Sequence, residues 1–132
     1  MTALNESPYL PRPRLVLAHP DSGYASSVCR FYRRLGWETH LAHSAHEVRS
    51  LVRRWSPEVV VLSIDLPDES GWLTCGKLRQ ENPELKVILV ADRSTPRNRH
   101  FASFVGAAGL VQTEAGVQTL AEEVGEVLAA TT

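Results

Sequence analysis

Two stretches constrain the fold of this chain more than any others: VVVLSI at 59–64 and KVILVA at 86–91. Neither alternates polar with apolar residues. A strand with one face in water does alternate, because successive side chains point to opposite sides of the sheet. Strands that are apolar nearly throughout need cover on both faces. That is the situation of a central strand in a parallel sheet layered by helices.

The rest of the chain supplies the cover. Residues 1–13 hold three prolines and little pattern, and read as a disordered tail ahead of one domain over 14–130. After Arg14, LVLA (15–18) is a short strand running into His19-Pro20-Asp21-Ser22-Gly23. Ala25, Val28, Cys29, Tyr32 and Leu35 then recur at helical spacing, and Gly36 supplies the stop. WETHLA (37–42) alternates weakly, as a short strand does. Ser44 and Glu47 have capping-box spacing, ahead of a second stripe of Val48, Leu51, Val52 and Trp55 that Ser56-Pro57 ends. Trp72, Cys75 and Leu78 mark a third helix ending near Asn82-Pro83. Thr95-Pro96 caps and opens a fourth, bearing Phe101, Phe104 and Val105 and closed by Gly106. GLVQ (109–112) is a fifth strand, and Val117, Leu120, Ala121, Val124 and Leu128 form the last amphipathic stripe.

Strand and helix therefore alternate five times. This predicts an α/β, flavodoxin-like (βα)5 doubly wound parallel sheet with right-handed crossovers and strand order 2-1-3-4-5. In such folds sites form at the carboxyl ends of the strands. Here those ends are His19–Ser22, Ser63–Asp68, Ala91–Ser94 and Gln112–Glu114.

Composition excludes several functions. With 132 residues, 43% of them apolar and 22% charged, the chain is sized and built as one globular domain. A net charge of −1 argues against an electrostatic grip on nucleic acid or anionic lipid. No apolar run approaches the roughly 20 residues that cross a bilayer, and the first residues lack the apolar core of a secretory signal. The expectation is a cytoplasmic protein without membrane insertion. Cys29 and Cys75 lie in helical patterns without metal-site spacing, as buried reduced thiols would.

PEVVVLSIDLPDESGW (57–72) and VGAAGLV (105–111) resemble the third strand with its loop, and the approach to the fifth strand, in receiver domains of bacterial two-component response regulators. The resemblance spans about 14–129. It implies phosphoryl transfer to an aspartate at the end of the third strand, helped by an acidic pair that binds Mg²⁺, a Ser or Thr, and a Lys. Matched by motif, this sequence has His19 and Pro20 at the acidic pair with Asp21 adjacent, Ser63 at the acceptor, Ala91 at the hydroxyl and Thr113 at the lysine. Glu114 stands where a proline is usual, and Leu110 replaces the aromatic residue of the fifth strand. Together these departures imply a pseudo-receiver, not an enzyme, with no catalytic residue, metal or cofactor. It would bind protein partners in a bacterial signalling or localisation pathway, a second copy among the candidates. The family's output face would draw on Arg97, Arg99, His100, Phe104, Leu110 and Val117. GWLTCGKLR (71–79) is also similar to gliding-motility pseudo-receivers, which points toward scaffolding or localisation.

Other readings of single residues stay open beside this one. Asp65 can be an unconventional phosphoacceptor and, with Asp21, a weak cation ligand; alternatively Asp65 and Asp68 are turn residues beside Pro67. Ser63 and His19 would make a nucleophilic pair only if something orients the base. HPDSGYASS (19–27) reads as a nucleotide or anion loop, or as plain helix capping by Asp21 or Ser22. His40, His43 and His46 read as zinc ligands or solvated histidines. Arg30, Arg33, Arg34, Arg49, Arg53 and Arg54 oppose Glu122, Glu123 and Glu126, as solvated faces or as docking charges. Gly76, inside a helix, reads as a close-packing position or, with Leu73, as a place where a partner approaches.

Overall fold

The computed structural model describes residues 12–130. Of the expected tail, residues 1–11 lie outside the described residues, while the Pro13 carbonyl already accepts from the Glu38 amide at 2.9 Å. The strands are β1 (Arg14–Ala18), β2 (Glu38–Ala42), β3 (Val59–Ser63), β4 (Lys86–Ala91) and β5 (Gly109–Gln112). The helices are α1 (Ser22–Arg34), α2 (Ala45–Trp55), α3 (Gly71–Glu81), α4 (Pro96–Phe104) and α5 (Gly116–Ala129), with a 3-10 turn at Thr113–Ala115. All strand pairs are parallel, in the expected order β2-β1-β3-β4-β5.

The absence of alternation in β3 and β4 has a direct cause. Val59 and Val61 point to a layer with Leu15, Leu17, Ile88 and Val90, covered by Val28 and Tyr32 of α1 and Leu120 and Val124 of α5. Val60 and Leu62 point the other way, to Val16, Val87 and Leu89 under Val48 and Leu51 of α2 and Cys75 and Leu78 of α3. Every residue of β3 is buried. Each Val or Leu so placed stabilises the fold by about 1.5–3 kcal/mol relative to exposure, so the central strand anchors both layers. Cys29 and Cys75 are free and buried, as expected.

Three details differ from the sequence reading. Leu35 is 55% exposed, because it is the C-cap of α1, where the chain turns away before Gly36 at φ 90°. Phe101 does not enter the core: Ala102 is the buried residue of α4, while Phe101 is 41% exposed and Phe104, expected on the partner face, is 79% exposed. The capping box at α2 is half formed. Ser44 Oγ accepts from the Glu47 amide at 3.0 Å, but Glu47 Oε1 reaches past Ser44 to the His43 amide at 2.7 Å.

Candidate functional site

The strand ends gather His19, Ser63, Ala91 and Thr113 at one edge of the sheet. His19 follows β1. Its Nδ1 accepts from the Asp21 amide at 3.0 Å, which leaves the proton on Nε2 to donate to Thr113 Oγ1 at 3.4 Å. That contact joins the ends of β1 and β5 although β3 and β4 lie between them in the sheet. Burial lowers the pKa of His19, against the pull of Asp21, Asp92 and Asp65. A neutral imidazole is therefore the favoured form near pH 7.

Ser63 is almost fully buried, and its Oγ accepts from the Asp65 amide at 3.0 Å, closing the loop after β3. Ser63 and His19 are thus each engaged elsewhere and do not form a nucleophile–base pair. Asp65 is exposed and makes a one-residue antiparallel bridge to Ser70. With His19, Pro20, Ala42, His43, Leu66 and Pro67 it borders a cavity of about 390 Å³. Asp21 is the N-cap of α1, its Oδ1 accepting from the Tyr24 amide at 3.0 Å, so this loop is used for capping.

Asp68 corrects the reading of a simple turn residue. Its carboxylate oxygens accept from the Ala45 amide at 2.8 Å and the His46 amide at 3.1 Å, at the start of another helix. Those amides hold its carboxyl below the usual range. The neighbouring Glu69 is also held low. Burial pushes it up, but bonds from Lys77, Thr74 and Arg49 outweigh that.

Gly71, at the start of α3, is a requirement the sequence reading passed over. A Cβ there would sit 2.1 Å from the Ser63 carbonyl oxygen. Its only sequence signal is a glycine in the first turn of a helix, which has many causes. Gly76 is the opposite case: nothing lies within 4 Å of its missing Cβ, so close packing within the chain is not its reason.

The remaining candidates are dispersed. His40 stacks edge-on against Trp55, with ring centroids 3.6 Å apart. Among the described residues no three His, Cys, Asp or Glu side chains are grouped to hold a metal ion. Arg49 of α2 pairs with Glu69 of the loop before α3 at 2.7 Å and Arg53 with Glu81 of α3 at 3.4 Å, so part of the basic cluster is used within the fold. Arg97, Arg99, His100 and Phe104 are exposed on α4. Leu110 is half-buried against the layer under α2 and α3, and Val117 against the layer under α1 and α5. Sequence reasoning missed the row that Phe104 belongs to: Trp72 and Phe101 are 4.8 Å apart and Phe101 and Phe104 6.1 Å, running from α3 along α4. The sequence places Phe104 on the partner face, and its row with Phe101 and Trp72 is visible only in the fold.

A doubly wound parallel sheet with its polar loops at the strand ends defines a flavodoxin-like domain. More specifically, the chain belongs to the response regulator receiver domain family, whose profile matches residues 20–125. It is 37% identical over 75 residues to the probable transcriptional regulatory protein TcrX of Mycobacterium tuberculosis, covering 57% of this chain and 32% of that protein. It is 28% identical over 83 residues to adventurous-gliding motility protein Z of Myxococcus xanthus, covering 61% of this chain and 6% of that protein. The chain thus spans less than half the length of these relatives. Among solved structures, a CheY-like receiver domain from Methanospirillum hungatei JF-1 superposes with a TM-score of 0.83 at 22% identity, over 91% of this chain and 96% of that one. Among the described residues no helix is long and apolar enough to cross a membrane.

Proposed function

We propose that this receiver domain works without phosphorylation, as a module that binds partner proteins. The observation behind the reading is that its strand-end polar groups are already engaged within the domain. Ser63, at the place of the acceptor, has its hydroxyl oxygen occupied by the Asp65 amide of its own loop. His19, at the place of an acid, bonds to Thr113, at the place of the lysine. Ala91 has no hydroxyl to offer. Transfer of a phosphoryl group depends on positioned charge, and the four positions that would supply it, His19, Pro20, Ser63 and Thr113, hold neutral groups.

The donor set does not fit Mg²⁺ either. This ion needs near-octahedral oxygen ligands. His19 offers nitrogen, Pro20 offers no side-chain donor, and one oxygen of Asp21 already caps α1. The domain is therefore a signalling module that presents a surface, with the exposed residues Arg97, Arg99, His100 and Phe104 of α4, flanked by Leu110 and Val117, as the partner face.

The test is intact-mass measurement after incubation with a small phosphodonor and Mg²⁺. No added phosphoryl mass is expected. A stoichiometric adduct that disappears in Asp65→Asn would establish Asp65 as an unconventional acceptor and overturn the reading.

A further inference from the structure

We propose that the groove between α3 and α4 is a docking site for an amphipathic helix of a partner protein, one whose apolar ridge is flanked by acidic residues. The inference rests on the reading of the domain as a protein-binding module and names the chemistry of its partner. The groove encloses about 680 Å³, and Trp72, Leu73, Gly76, Phe101, Phe104 and Val105 form its apolar part. Among the described residues, the large apolar side chains standing in solvent are Leu35, Leu73, Phe101 and Phe104, and three of these four line this groove. Scattered exposed apolar residues need no explanation, whereas a contiguous patch marks an interaction surface.

The shape fits a helix. Leu73, Gly76, Lys77 and Gln80 run along α3 at spacings of three and four, and Phe101 and Phe104 of α4, with Val105 at its C-cap, do the same. Two such ridges leave a trough into which the ridge of a third helix fits. Gly76 notches one wall. Glycine is costly inside a helix, and with nothing within 4 Å of its missing Cβ this chain gains no packing in return. The notch lets a partner's side chain or backbone come close.

Charge selects the partner. Among the described residues no carboxylate lines the groove. Arg79 is fixed there by the carbonyl oxygens of Gly106 at 2.8 Å, Leu85 at 3.2 Å and Pro83, and among the described residues its charge meets no carboxylate. Arg97 lies one turn before Phe101, and His100 one turn before Phe104, on the same stripes of α4. Among the described residues neither meets a carboxylate. Lys77 is balanced by Glu69, which Arg49 also holds. The excess positive charge disfavours a second copy's identical groove and favours acidic flanks on the ligand.

The experiment is selection on the immobilised chain from a displayed library of amphipathic helical peptides, their ridge fixed as leucine and isoleucine and their flanks varied among Asp, Glu, Lys, Arg, Gln and Ser. Peptides enriched in Asp and Glu flanks are expected. Their affinity should fall by roughly tenfold or more on Leu73→Asp or Phe104→Asp, both exposed positions where the fold persists. Gly76→Gln gives an independent readout, because it fills open space with a better helix former. That variant should be more stable and yet bind less, a split that a purely structural role does not produce. Enrichment of neutral or basic flanks, or binding indifferent to all three substitutions, would overturn the proposal. So would a dimer in sedimentation velocity that Leu73→Asp dissociates, making a second copy the occupant. Peptide affinity raised by removing residues 1–11 would instead give the groove to the chain's own end. A phosphoryl adduct in the mass experiment would overturn the parent reading while leaving these binding results to stand.

Discussion

Gly71 and Gly76 lie five residues apart on one helix and tolerate opposite changes. Alanine at 71 would drive its Cβ to 2.1 Å from the Ser63 carbonyl oxygen and 2.7 Å from Ile64 Cα, backbone atoms that cannot swing aside. Gly71→Ala should lose about 2–3 kcal/mol, near the top of the range for overpacking. Gly76→Ala meets open space and should gain up to about 1 kcal/mol. Urea unfolding midpoints at unchanged slope check both. His19 makes a second residue-scale prediction. Its folded pKa is lowered, chiefly by burial, below the ordinary 6.5. Well above that value the ring is neutral folded and unfolded, and no pH dependence arises. As pH falls below it the unfolded chain takes the proton first, so stability falls until the folded pKa is passed. Between about pH 7.5 and 5.5, the wild-type chain should therefore lose more stability than His19→Gln. A wild type that gained on the variant would mean that Asp21, Asp92 and Asp65 outweigh burial.

At the scale of elements, α2 shows how one loop secures another helix. Its first three amides would lack partners within the helix. Asp68 accepts from Ala45 and His46, and Ser44 from Glu47, so all three are satisfied. The carboxylate also favours the positive end of the helix dipole. Because the Ala45 and His46 amides depress the pKa of Asp68, its contribution is present above the unfolded value near 3.8 and is lost as pH falls through the folded one. Asp68→Asn should therefore lower the melting temperature at neutral pH, with the gap closing below the ordinary carboxylate range. Asp65→Asn, whose side chain caps nothing, should show no such gap. Thermal melts across pH distinguish the two. The existence of α2 was plain from Ser44, Glu47 and the stripe Val48, Leu51, Val52. The capping by Asp68 was hidden, because it joins residues more than twenty positions apart, beyond any local pattern.

At the scale of the molecule, the strand-end site draws on three different loops and the end of β4, and no single substitution should restore it. Ser63→Asp would add a carboxylate at the end of β3 but no acidic pair, hydroxyl or lysine around it. Each missing electrostatic contact of this kind can cost on the order of 3 kcal/mol of barrier. Ser63→Asp alone should remain unphosphorylated by a small phosphodonor. The variant that also carries His19→Asp, Pro20→Asp, Ala91→Thr and Thr113→Lys should take up phosphate, as read by intact mass. Efficient labelling of the single variant would show that the neighbouring groups are not needed for transfer.

The sequence by itself determined the architecture. Unalternating runs at 59–64 and 86–91, helical stripes between them and stops such as Gly36 and Gly106 dictate a parallel sheet covered on both faces, because burial is proportional to area and its periodicity is local. It also placed His19, Ser63, Ala91 and Thr113 at strand ends. What tertiary structure decided were the relations between distant segments. These are the His19–Thr113 contact across the sheet, the commitment of Asp68 to α2, the closeness of Gly71 to Ser63 and the turning of Phe101 outward to join Phe104 and Trp72. An apolar residue in a helix can face the core or solvent according to which neighbour covers it. On α4 the core position falls to Ala102, and the phenylalanines are left to line a groove with α3. A hydrogen bond or a clash between residues far apart leaves no periodicity to read, so it becomes visible only once the chain is folded.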